Sequence, residues 1–190
     1  MRVLLAFSFI VVACGHATSS GRAPERAPAS RAVAADIHFM SGMIVHHAQA
    51  VVMGGWAVDS VHGAGPAIRA LGERIVVGQQ DEIAVMERWL RERDEAPPHH
   101  ATLMPGMLTA AQLARLDAAR EAEFDRLFLT LMIQHHQGAI TMVQHQLATP
   151  GAAQDGLVFR LAADIHADQA TEIRRMQGML AAQLTGGRTP

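Results

Sequence analysis

Apolar residues recur along most of this chain at spacings of three and four, the period of one helical face, and no stretch alternates as a half-buried strand would. Asp36 can cap a helix running to about Val58, with Gly54-Gly55 a weak point near its end. Gly63-Ala64-Gly65-Pro66 reads as a turn, and Pro66 suits the first position of a second helix reaching about Arg93. Pro97-Pro98-His99-His100 and Met104-Pro105-Gly106-Met107 cannot be helical throughout, so they form a linker over about 94–108. Thr109 with Gln112 is a capping-box pattern, opening a short helix that leads into, or merges with, a third long helix through about Leu147. Pro150-Gly151 breaks the chain, and a fourth helix covers roughly Gln154 to Leu184. The predicted fold class is all-α, an antiparallel four-helix bundle over about 35–187.

The bundle is a duplication. Phe39, Met43, Ile44, His46, His47, Ala50 and Met53 recur as Phe128, Met132, Ile133, His135, His136, Ala139 and Met142, each 89 positions on. Gln79, Glu82, Ile83 and Met86 recur as Gln169, Glu172, Ile173 and Met176, 90 positions on. Identities held in phase over so many positions mark two copies of one helix pair, about 36–93 and about 109–185.

The N-terminus adds a targeting segment. Arg2 precedes an apolar run from Val3 to Ala13, too short to span a bilayer but suited to a signal sequence. Val11-Val12-Ala13-Cys14 looks like a bacterial lipobox, so residues 1–14 read as a lipoprotein signal with Cys14 the lipidation site. An ordinary secretory signal with an incidental cysteine is the alternative. Residues 15–34, rich in Ser, Ala, Pro, Gly and Arg, read as a flexible tether. Cys14 is the one cysteine, which excludes an intramolecular disulfide and a thiolate metal cluster. With 49% hydrophobic residues and a mean hydropathy of +0.11, global disorder is excluded. A net charge of −2, with no lysine and no basic stretch, argues against a nucleic-acid partner.

Eleven histidines and eleven methionines exceed what packing needs. Met43 lies three and four residues before His46 and His47, and Met132 stands likewise to His135 and His136, so these pairs share a helical face. Adjacent histidines point about 100° apart, so one helix cannot aim both at a point; a site must recruit methionines or the matching helix of the other copy. Imidazole and thioether donors without thiolate favour Cu(I), with silver as its analogue, and make Met43, His46, His47, Met53, Met132, His135, His136 and Met142 the candidate ligands. Glu82 and Glu172, each three residues after Gln79 and Gln169, can orient the rings from behind. His99, His100, Met104 and Met107 form a possible accessory set on a mobile linker. His38 and His145 fall on the far faces of their helices, exposed to solvent. The bland alternative is methionine as core filler and His/Glu as a buried hydrogen-bond network without metal. No glutamate has a histidine three residues on, and His-Glu-x-x-His is absent, which disfavours di-iron and zinc-protease chemistry and leaves no catalytic constellation.

The repeated Met-Ile-x-His-His-x-x-Ala and Gln-x-x-Glu-Ile-x-x-Met blocks, with Met104-Pro105-Gly106-Met107 between them, resemble a bacterial family known as domain of unknown function 305, over about Ala35 to Leu184. The resemblance implies a ferritin-like four-helix bundle, usually exported, whose best-described members bind copper or silver in the periplasm and aid metal resistance. By matching motifs it carries over the same histidines and methionines. Met179 stands in the place of Trp89, so the two halves end differently. The reading that results is an envelope lipoprotein that buffers or passes on Cu(I) or Ag(I). Its partners would be the metal, the membrane through its lipid anchor, and other copper-handling envelope proteins.

Overall fold

Alanine-rich, β-branch-poor segments between Gly/Pro breaks give five α-helices: α1 Pro28–Val58, α2 Pro66–Arg91, α3 Ala110–Ala118, α4 Glu121–Ala148 and α5 Gly156–Gly186. The structure, a computed structural model, describes residues 28–95 and 103–186. The signal segment with Cys14, the tether through residue 27, and His99 and His100 lie outside the described residues. No helix among the described residues is long and apolar enough to cross a membrane.

Two expectations change. Helix α1 starts at Pro28 and takes in the end of the expected tether, because proline suits a first turn and the alanines that follow propagate the helix. Asp36 therefore sits inside α1 and caps nothing of its own. Its buried carboxylate instead accepts hydrogen bonds from the Gln146 side chain and, at 2.7 Å, from the Ala153 backbone N–H, fastening α1 to the α4–α5 turn. The Thr109–Gln112 capping box is formed as expected. Helix α3 does not merge with α4, since Ala119 and Arg120 are extended and Glu121 takes a φ of 51°.

Helix α1 packs along α2, α4 along α5, and α1 against α4. The core is two apolar clusters, each drawing on both copies. One holds Met53, Leu71, Ile75, Phe124, Phe128, Met132 and Met176. The other holds Phe39, Met43, Met86, Leu90, Val143 and Ile165. Along α1 the switch between clusters falls at His46-His47, along α4 at His135-His136, along α2 near Gln79 and Glu82, and along α5 near Gln169 and Glu172. One polar layer therefore crosses all four long helices, with hydrocarbon above and below.

Candidate metal centre

The layer's symmetry follows the repeat. Both His-His pairs are fully buried, at 0% exposure for all four rings. His47 Nε2 donates to a Glu82 carboxylate oxygen at 2.7 Å, and His136 Nε2 donates to Glu172 at the same distance. Each Nε2 is thus held by a carboxylate, the arrangement by which an outer carboxylate orients a metal-binding imidazole. Between these outer pairs His46 and His135 meet face to face, ring centroids 3.9 Å apart and tilted by 38°. Adjacent rings on one helix stand 6.4 Å apart for His46 and His47 and 6.2 Å for His135 and His136, as their divergent directions require.

Burial controls the charge of this layer. Loss of solvent, then the neighbouring His47, pushes His46 down to about 3, although its hydrogen bond to Pro105 pulls the other way. Loss of solvent and then His46 hold His135 well below the ordinary histidine value. Burial raises Glu172, but the His136 hydrogen bond and charge, with Arg74, outweigh it and leave the carboxyl below its usual range. The inner rings are thus neutral donors at physiological pH, the form a metal needs.

Neutral rings in hydrocarbon should find hydrogen-bond partners. Here Nδ1 of His46, His47 and His136 and both nitrogens of His135 are buried without one, as are both amide atoms of Gln79 and the Gln169 oxygen. Unpartnered polar atoms concentrated in one layer are the signature of a site that a soft cation or water would complete. No three His, Cys, Asp or Glu side chains among the described residues converge as a ready-made cage. A metal at the layer would draw on the paired rings, with thioethers to complete its sphere. Met43, Met53 and Met132 are fully buried in the clusters that border the layer, whereas Met142 is half-buried and reaches a surface cleft.

A cleft lies on the side of the supporting residues. Helices α2 and α5 are separated by a cleft of about 530 Å³ lined by Gln79, Glu82, Asp168, Gln169 and Glu172, with Arg74 at 3.5 Å from Glu172. Burial, then Glu82 and Glu172, raises the Asp168 carboxyl. This acidic cleft faces the orphaned amides directly.

The opposite side is closed by a strap that sequence reasoning took for mobile linker. Leu103–Thr109 crosses α1 and α4, with the Pro105 carbonyl accepting from His46 Nε2 at 3.0 Å. Gln49 clasps Leu108 twice, accepting from its N–H at 2.7 Å and donating to its carbonyl at 3.1 Å. Gly138 makes room, because a Cβ there would lie 1.9 Å from the Pro105 oxygen. Gln49 and Gly138 occupy the same repeat position, 89 residues apart, so the two copies differ where the strap meets them. On the strap Met104 and Met107 are half-buried. His62 is buried and donates to Asp117 at 3.1 Å, pinning α3.

A family model described as Domain of unknown function (DUF305) matches residues 36–180. The crystal structure of a DUF305 fragment from Deinococcus radiodurans is similar, with a TM-score of 0.70 and 30% identity over 77% of this chain and 95% of that one. CopM in the Cu(I)-bound form has a TM-score of 0.64 and 27% identity over 78% of this chain and 96% of its own. CopM in its Cu(II)-bound and Ag-bound forms aligns similarly, at a TM-score of 0.60 for each. An uncharacterized protein, L153, of Acanthamoeba polyphaga mimivirus is 38% identical over 58 residues, which span 30% of this chain and 37% of that protein.

Proposed function

The chain belongs to the DUF305 family, and from that membership and its buried histidine layer we propose that it is an envelope protein that binds Cu(I) or Ag(I) to buffer or pass it on. The observation that carries the reading is the facing pair His46 and His135, neutral, fully buried and with nitrogens unpartnered among the described residues. Leaving several acceptors orphaned in hydrocarbon costs about 1–3 kcal/mol each, a penalty that ligation would remove. In this reading the inner rings bind the ion, while His47 and His136, held by Glu82 and Glu172, offer further nitrogens. Met43, Met53 and Met132, fully buried beside the layer, supply thioethers, and a donor set of imidazole and thioether selects soft monovalent ions. Gln79 and Gln169 steady the layer from the α2–α5 side. His99, His100, Met104 and Met107 would assist capture. Structures of CopM bound to Cu(I), Cu(II) and Ag support the metal class. Cleavage and lipidation at Cys14 would hold the bundle at the envelope, where it would meet other copper-handling proteins.

The test is anaerobic Cu(I) competition between the purified full chain and a colorimetric chelator, with metal analysis of the protein as isolated. Submicromolar competition, lost in the His46→Ala/His47→Ala/His135→Ala/His136→Ala variant while helical circular dichroism persists, is the expected result. Absence of competition in the wild type would refute it. The 2.7 Å His47–Glu82 and His136–Glu172 bonds favour one second reading, a polar network that only fixes helix packing. That reading requires destabilisation of the same variant with no metal to lose.

A further inference from the structure

A second group of soft donors lies outside the histidine layer. Helices α1 and α4 run antiparallel past each other: Asp36 bonds Gln146 at one level, and Gly42 faces Met142 at another. Between those levels His38, one turn before Gly42, and His145, three residues after Met142, come to the rim of one cleft of about 210 Å³. The strap adds Met104 to the same cleft. Its sulfur would be 3.0 Å, and the Met142 methyl 3.6 Å, from a Cβ placed on Gly42, so both side chains close on the space that a side chain at Gly42 would take. Neither a carboxylate nor an arginine lines the cleft.

We infer that His38, Met104, Met142 and His145 form a surface site for a single soft monovalent cation, Cu(I) or Ag(I), separate from the buried histidines. Two imidazoles and two thioethers with no oxyanion select soft ions over Zn(II), Mg(II) or Ca(II). Both histidines are exposed, so they can turn onto an arriving ion without opening the core. The half-buried methionines, placed from α4 and from the strap, supply the fixed half of the site. Helical periodicity from α1 and α4 alone assigned His38 and His145 to solvent; what gathers them is the antiparallel register and the strap.

Silver is the probe, since it undergoes no redox change under the assay. In the full chain labelled with 13C at methionine methyls, titrated with Ag(I) and followed by NMR, the Met104 and Met142 methyls and the His38 and His145 ring signals should move together. They should do so also in the His46→Gln/His135→Gln variant. Met104→Leu/Met142→Leu, which keeps apolar volume, should lose one silver per chain. His38→Asn/His145→Asn, changed at exposed positions, should weaken that silver by at least about tenfold, or ~1.4 kcal/mol. Silver bound without movement of the Met104 and Met142 methyls would overturn this site and leave the buried one standing. Movement that disappears in the His46→Gln/His135→Gln variant would overturn its separateness. No silver bound anywhere would overturn both.

Discussion

Gly138→Ala tests whether the strap is seated as described. Replacing a helix-interior glycine by alanine normally stabilises by up to about 1 kcal/mol. At Gly138 the new methyl would lie 1.9 Å from the Pro105 oxygen, 2.3 Å from its carbon and 2.5 Å from the Gly106 Cα, all backbone atoms that cannot rotate aside. The strap must lift. Lifting breaks the His46–Pro105 hydrogen bond and the two Gln49–Leu108 bonds, each about 0.5–1.5 kcal/mol net. It also uncovers Leu108, now 2% exposed, whose burial contributes roughly 1.5–3 kcal/mol. After an alanine gain of about 1 kcal/mol is subtracted, the net loss should be about 2–6.5 kcal/mol. Urea unfolding followed by circular dichroism should show the midpoint falling by about 1 M or more at an m-value near 2 kcal/mol/M. Gly78→Ala is the control: it too lies inside a helix, but nothing stands within 4 Å of its Cβ, so its midpoint should rise. If Gly138→Ala rises with it, the strap does not lie against α4 and the account of His46 fails.

Acid should weaken the protein before its carboxylates titrate. His46, held at about 3 when folded, binds protons more readily unfolded, and His135 shifts the same way. Their stability contribution is complete above about pH 6.5 and lost below it, by up to ~2.7 kcal/mol per pH unit for two groups. Glu172, depressed in the fold, adds its loss only below the ordinary carboxylate range near 4.5. Urea midpoints that stay level between about pH 7.5 and 5.5 would contradict this, and the His46→Gln/His135→Gln variant should flatten the dependence. Asp36→Ala leaves the Gln146 amide and the Ala153 N–H buried and unpaired, so thermal unfolding should show a loss of about 2–4 kcal/mol; an unchanged transition would remove the proposed fastening. Asp155→Ala frees the Trp89 indole, Arg93 and the first turn of α5, and should cost about 1–2 kcal/mol by the same assay; no loss would show that end of the bundle is held elsewhere. Anaerobic Cu(I) at about a hundred times its dissociation constant should stabilise the fold by ~2.7 kcal/mol, an increment a chelator reverses; a melting point indifferent to copper would count against the buried site.

The helices, the capping box at Thr109 and the repeat were legible because local periodicity and turn residues specify them. So was the support of His47 and His136 by Glu82 and Glu172, since the two blocks recur at nearly equal offsets. Other features were not. The start of α1 depends on propensity against a proline-rich background, and Asp36 looked like a cap because its distant partner Ala153 lies 117 residues on. The facing of His46 with His135 depends on the register of α1 against α4, which no single-helix pattern fixes. The strap was misjudged because Pro and Gly were read as breakers, while the contacts that order it come from Gln49, Gly138 and Gln134 on other elements.

Gln49 and Gly138 give the duplication a further meaning. In a dimer of two identical hairpins the corresponding position would carry the same residue twice. Glutamine at both would block the strap where it crosses α4, and glycine at both would remove the two Gln49–Leu108 bonds that help hold it on α1. A one-sided cover is open to this architecture because both halves share one chain and can diverge. It holds His46 through Pro105, a contact that His135 on α4 does not share. Two rings that descend from one motif thereby become unlike neighbours, only one of them tied to the strap.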